Sequence, residues 1–210
     1  MLYTKAEFPR IELEDLLAAG AFSAVVPQQL GGLGLGTEPS GALGAFELLR
    51  PVGRGNLAVG RIFEGHVNAL RLISLYGHEE LLRRAADDTR AGHLFSIWNT
   101  EHPPEAVCIV ETPAGLVLHG SKFFCSGAGY ATRGLITAAT EADARQMLVI
   151  ALEPGERAAS IESMTQGMRA TATGRINFDG LLIESGVFIG AADDYLREPA
   201  FSGGAWPPAR

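Results

Sequence analysis

The sequence predicts an α+β chain, with an N-terminal helical domain followed by an antiparallel β-barrel-like domain. Two observations carry this. In the first part apolar residues recur at helical spacing, most regularly at Val59, Ile62, Phe63, Val67, Leu70 and Ile73. From about Leu94 the pattern changes to short apolar runs between turn residues, and no alternation of strand and helix intervenes. The expected division is a helical domain over 1–93, a β domain over 94–190 and an irregular tail over 191–210.

Taken in order, Leu13, Leu16 and Leu17 share one face of a first helix that begins with Glu12, Glu14 and Asp15 and ends at Gly20. Glycines at 31, 32, 34 and 36 then require a loop, since helix interiors disfavour them. A second helix is expected from Ala42 to about Leu49, interrupted by the stretch Arg50-Pro51-Val52-Gly53-Arg54-Gly55. Asn56 is a suitable N-cap for the long third helix, which Gly77 stops. A fourth helix follows, with Glu79 to Arg83 and Glu80 to Arg84 placed for i,i+4 pairing and Gly92 past its end.

The expected strands are Leu94 to Thr100, Val107 to Glu111, Leu116 to His119, Phe123 to Cys125, Leu135 to Ala138, Met147 to Leu152, Ser160 to Met164, Arg175 to Phe178 and Leu181 to Ile183. Thr112-Pro113-Ala114-Gly115 reads as a hairpin turn between two of them. Adjacent prolines, Pro207 and Pro208, forbid a helix through the tail.

Composition excludes several functions. Charged residues make up 20% of the chain, and no apolar run approaches the roughly 20 residues of a membrane span. The start of the sequence has no secretory pattern, so the cytoplasm is the expected compartment. A net charge of -7 with scattered basic residues argues against nucleic acid. Cys108 and Cys125 lack metal-ligand or redox spacing and are expected to be reduced and buried. The histidines, at 66, 78, 93, 102 and 119, form no metal-binding motif, and His66 is expected as a hydrogen-bonded, partly buried residue of the long helix. The glycine loop fits no G-x-G-x-x-G register, and Ser121, Ser126 and Ser202 lack a hydrolase setting.

Two strand ends are chemically richer. Ile97-Trp98-Asn99-Thr100-Glu101 runs into an amide, a hydroxyl and a carboxylate, while Lys122-Phe123-Phe124-Cys125-Ser126-Gly127 places an aromatic pair before a hydroxyl and a glycine. A flavin ring needs this combination of an aromatic or apolar surface and a few hydrogen-bonding groups.

In order along the chain, these segments resemble the acyl-CoA dehydrogenase family. Ala19-Gly20-Ala21-Phe22 leading to Val26-Pro27-Gln28-Gln29-Leu30-Gly31-Gly32-Leu33-Gly34 is similar to the family's N-terminal helix and double-glycine loop. Thr100-Glu101 resembles the opening of its middle β domain, and Leu118 to Gly127 its Gly-x-Lys strand. Gly167-Met168-Arg169-Ala170-Thr171-Ala172-Thr173-Gly174 with Ile176-Asn177-Phe178-Asp179-Gly180 resembles the strand pair near the end of that domain.

The resemblance implies FAD as cofactor, contacted by the backbone around Trp98 and Asn99, by Thr100, Phe124 and Ser126, with Cys125 between the last two. It implies an acyl-CoA or other small-molecule substrate, α,β-dehydrogenation with hydride passing to the flavin, a homo-oligomer, and an electron-transfer flavoprotein as acceptor. The family's catalytic carboxylate lies in a C-terminal helical bundle, so no catalytic residue is assigned here and the chain alone is expected to be inactive. His102-Pro103-Pro104-Glu105-Ala106 replaces the family's usual Gly-Ser-Asp turn after Glu101. That departure keeps two alternatives open: a flavin-dependent monooxygenase on the same scaffold, and an inert remnant or interaction subunit.

Overall fold

The computed structural model describes residues 7–160 and 168–197. Five α-helices come first: α1 Arg10–Ala18, α2 Ala21–Ala24, α3 Ala42–Gly55, α4 Leu57–Tyr76 and α5 Glu79–Arg90. Ten strands follow: β1 Phe95–Trp98, β2 Cys108–Thr112, β3 Gly115–His119, β4 Ser121–Cys125, β5 Arg133–Ala139, β6 Arg145–Ala151, β7 Ala158–Ser160, β8 Gly174–Asn177, β9 Leu181–Leu182 and β10 Phe188–Ile189. The expected α+β order is therefore observed, and the sheet is curled and mostly antiparallel. The expected tail beyond residue 197 and the strand residues 161–164 lie outside the described residues.

The long helix forms for the reasons its sequence suggests. Asn56 accepts hydrogen bonds from the amides of Ala58 (3.0 Å) and Val59 (3.4 Å), capping donors that helix geometry leaves unpaired. Val59, Ile62, Phe63, Val67, Leu70 and Ile73 are all buried, each contributing roughly 1.5–3 kcal/mol before the entropy of ordering is set against it. On this face His66 is wholly buried rather than partly so, and its Nδ1 accepts the Phe95 amide at 3.2 Å. The rings of Phe22, Phe63 and Phe95 surround it. Burial in that aromatic setting pushes its pKa down to about 3, so the imidazole is neutral.

Several features depart from the sequence reading. First, α3 continues through Pro51 to Gly55 instead of stopping near Leu49. Glu47 and Pro51 are both exposed, so the carbonyl that loses its helical donor is on the solvent side, where water can satisfy it. The glycines beyond Pro51 serve packing as well: a Cβ on Gly60 would lie 2.8 Å from the Gly53 Cα, so α3 and α4 cross almost backbone to backbone. Second, Arg84 does not pair with Glu80; it donates to the Gly186 carbonyl at 3.3 Å, whereas Arg83 does pair with Glu79. Third, β10 is a two-residue strand, too short to show periodicity.

The sheet is divided. One part has the order β10-β6-β5-β2-β3-β9, with β1 also on β5, and the other is β4-β8-β7. The β2–β3 hairpin turns where expected, pairing Thr112 with Gly115. The pairings β1–β5 and β2–β5 are parallel, which the antiparallel expectation did not include. Parallel neighbours need a long connection, and β1 reaches β5 only after β2, β3 and β4 have intervened. One apolar core runs from Leu13, Phe22 and Phe63 in the helices to Trp98, Leu135 and Leu148 in the sheet. Among the described residues no helix is long and apolar enough to cross a membrane.

The α3–α4 crossing yields a contrast. Gly60→Ala is expected to lower unfolding stability by about 1–3 kcal/mol, the usual range for overpacking. A Cβ on Gly53 meets nothing within 4 Å, so Gly53→Ala should instead raise stability by up to about 1 kcal/mol through helix propensity. Urea unfolding of the two variants checks both signs.

Candidate functional site

β1 ends at Trp98, whose side chain is 1% exposed. It fits a notch on β5: a Cβ on Gly134 would lie 2.3 Å from the indole Cζ3. The indole Nε1 donates to the Ser126 carbonyl at 3.0 Å, and the Ser96 hydroxyl donates to the same oxygen at 3.1 Å. Two residues past β1, the Thr100 carbonyl accepts the Phe123 amide at 2.9 Å. These bonds join the end of β1 to β4 and its exit, so the two chemically rich segments lie side by side. Thr100 is exposed and Ser126 is 9% exposed.

Alternation along β4 would put Lys122 and Phe124 on the same face. They differ completely: Lys122 is 0% exposed and Phe124 is 48% exposed. The cause is a bulge. Lys122 pairs with Ile176 and Cys125 with Gly174, so Phe123 and Phe124 together oppose Arg175. Phe124 takes up the extra residue at φ 53°, a left-handed conformation that costs a bulky side chain about 1–3 kcal/mol. Met168 (φ 55°) and Ala172 (φ 46°) are also left-handed, flanking the short turn Arg169–Thr171. That turn is bonded to the exit of β4, with Gly127 donating to the Thr171 carbonyl (2.7 Å) and Ala128 to that of Ala172 (3.1 Å). Three strained residues thus collect around one strand end.

Two of the sequence candidates reach no surface through their side chains. Trp98 is core, and Cys125 is fully buried, its thiol pushed up to about 12 by desolvation and so unreactive. Any ligand contact there has to come from the backbone. Cys108, expected buried, is half-buried. Asn99 differs from both, because its side-chain Oδ1 and Nδ2 are buried with no hydrogen-bond partner. Leaving such groups unmatched costs about 1–3 kcal/mol each, so this strand end offers an unused donor and acceptor beside the exposed Thr100 hydroxyl.

Sequence reasoning missed the charges underneath. The Lys122 ammonium sits 2.5 Å from Glu101 Oε1 and 3.3 Å from the Thr137 hydroxyl, while Arg145 holds Glu101 Oε2 at 2.8 Å. Burial pulls the Lys122 pKa below its ordinary value, opposed by the hydrogen bond and charge of Glu101. A lysine inside an apolar strand was the available signal; a partner 21 positions away could not be read from spacing. The unusual loop after Glu101 is also fastened here. Glu105 pairs with Arg175, which donates to the Ser121 hydroxyl at 2.9 Å and lies 5.4 Å from the centre of the Phe123 ring.

An exposed aromatic ring, an exposed hydroxyl and an unmatched amide on two joined strand ends match the kinds of group a flavin ring needs. No cluster of three or more His, Cys, Asp or Glu residues able to hold a metal occurs among the described residues.

No protein-family model and no curated protein sequence matches the chain. Solved structures do match. FMN-bound TdsC from Paenibacillus sp. A11-2, a dibenzothiophene monooxygenase, superposes with a TM-score of 0.74 at 20% identity over 90% of this chain and 49% of that one. Glutaryl-coenzyme A dehydrogenase in its glutaryl-CoA complex gives 0.75 at 23% identity over 89% and 50%. Methanesulfinate monooxygenase MsuC from Pseudomonas fluorescens gives 0.69 at 20% over 87% and 46%. The chain spans about half the length of these structures, and its fold is that of the N-terminal and middle domains of acyl-CoA dehydrogenases.

The backbone at Phe124 generates a prediction. At ordinary strand positions glycine is less stable than alanine, but at φ 53° the order should invert. Phe124→Gly is expected to be more stable than Phe124→Ala by about 1–2 kcal/mol, the cost of a left-handed non-glycine residue. Denaturant unfolding of the two variants measures the difference.

Proposed function

We propose that this chain is the helical and β portion of an acyl-CoA dehydrogenase-like flavoprotein, with FAD as its cofactor. The observation that carries the reading is the outward, left-handed Phe124 beside the exposed Thr100, on strand ends bonded to each other through Thr100, Phe123 and Ser126. Strain held at a solvent-facing aromatic is most simply explained by a ligand that uses the ring. In this reading Phe124 lies against the flavin ring, Thr100 and the backbone and amide of Asn99 meet its pyrimidine edge, and Ser126 approaches N5. Bound flavin would accept hydride from the substrate β-carbon. The residues of this chain would orient the ring and exclude water from one side of it. The carboxylate that removes the α-proton of an acyl-CoA would come from the half of the fold that this chain does not span. A homo-oligomer and an electron-transfer flavoprotein as acceptor belong to the same proposal.

A flavin-dependent monooxygenase is the second reading, favoured by one observation. The loop His102–Ala106, where the family has its Gly-Ser-Asp turn, is fastened to β8 through Glu105 and Arg175. A substrate other than a thioester would suit that change.

Purified protein titrated separately with FAD and FMN decides among the readings. Saturable changes in the flavin spectrum with FAD, stronger than with FMN and diminished by Phe124→Ala, would support the first; an acyl-CoA should not bleach that spectrum, because the carboxylate base is missing. Product formed only with reduced flavin and oxygen, for example from dibenzothiophene, would support the second. No flavin binding at any concentration would contradict both and favour an interaction subunit.

A further inference from the structure

The buried charges beneath the strand ends have no role in the proposal above. Lys122 is fully buried, and it immediately precedes the two residues that share the bulge. Its ammonium reaches Glu101, the residue after Thr100, and the Phe123 amide next to it reaches the Thr100 carbonyl. One ionic bond and one backbone bond therefore tie two consecutive residues of one strand end to two consecutive residues of the other. Arg145 from β6 holds the second oxygen of Glu101, and the Arg145 backbone amide donates to Asp193 at 2.8 Å.

With Lys122 fixed inward and Cys125 fixed opposite Gly174, the intervening segment has one residue too many for regular pairing. Phe123 is retained by Thr100 and covered by the Arg175 guanidinium. Phe124 is the residue left to absorb the excess, and it does so by turning out to solvent at positive φ.

We propose that Glu101 and Lys122 are positioning residues, whose ionic bond keeps the bulge in β4 and thereby holds the Phe124 ring in its outward setting as a preformed face for the flavin. This rests on the flavin reading. The bond touches no ligand; it acts through Phe124. An alternative in which the pair only stabilises the fold gives a different experimental pattern.

The test is a double-mutant cycle on the full chain, with FAD affinity as readout. Lys122→Met keeps the buried stem and removes the ammonium, leaving Glu101 with Arg145. In the wild-type background it is expected to weaken FAD about tenfold, a coupling typical of residues in one network. In a Phe124→Ala background the same change should alter affinity by less than about twofold, because the ring through which it acts is gone. The paired variant Glu101→Gln/Lys122→Met removes both charges and should match Lys122→Met. Far-UV circular dichroism and the Phe124 ring resonances in NMR spectra are recorded for each variant. The ring signals should shift in Lys122→Met while the dichroism stays native. An FAD affinity within twofold of wild type, or an equal loss in both backgrounds, would overturn the proposal. Failure of the wild-type chain to bind FAD would refute the flavin reading itself. The ring resonances then still decide the positioning claim, and an unshifted ring would refute it.

Discussion

Strand β1 is held from three directions, and the candidate site depends on that. Behind it, α4 packs along the strand and the neutral His66 accepts its first amide. Beside it, β5 pairs in parallel from Phe95 with Arg133 to Trp98 with Ile136. At its end, Trp98 and Ser96 both bond the Ser126 carbonyl, so the exit of β4 is positioned by β1 rather than by a sheet ladder of its own. β1 thus lies where the helices meet the sheet, packed on α4 and paired in parallel with β5.

Within that frame the site combines a relaxed element with a strained one. β1 leads without irregularity to an exposed Thr100, while β4 accommodates one extra residue at Phe124. Strain of this kind persists only where surrounding bonds leave no alternative. The bonds around it are the Glu101–Lys122–Arg145 charges on one side and those to the Arg169–Thr171 turn on the other.

Much of the fold was legible because its signals are local. The period of α4, the Asn56 cap and the Thr112–Gly115 turn each depend on residues a few positions apart. The site was legible only in outline. Short apolar runs gave the strand ends, and the family resemblance singled out Thr100, Phe124 and Ser126 there, but neither could show that the Trp98 side chain turns inward. The bulge depends on a register set by Ile176 and Gly174, some fifty residues away, and the partner of Lys122 depends on how two loops meet. The continuation of α3 through Pro51 was hidden for another reason: the cost of proline in a helix falls when the freed carbonyl faces solvent, and exposure is a tertiary property.

The proposed seat of the flavin is against the joined ends of β1 and β4. Trp98 ends β1, its indole bonded to the Ser126 carbonyl, and the chain has one other tryptophan, Trp206. In a Trp206→Phe variant, emission therefore reports on Trp98 alone, and a flavin in contact with the strand ends would accept its excitation energy. Titration with FAD should quench Trp98 emission almost completely, in step with the change in the flavin spectrum. Flavin that binds with the same affinity while leaving Trp98 emission unchanged would place the cofactor elsewhere and contradict the account.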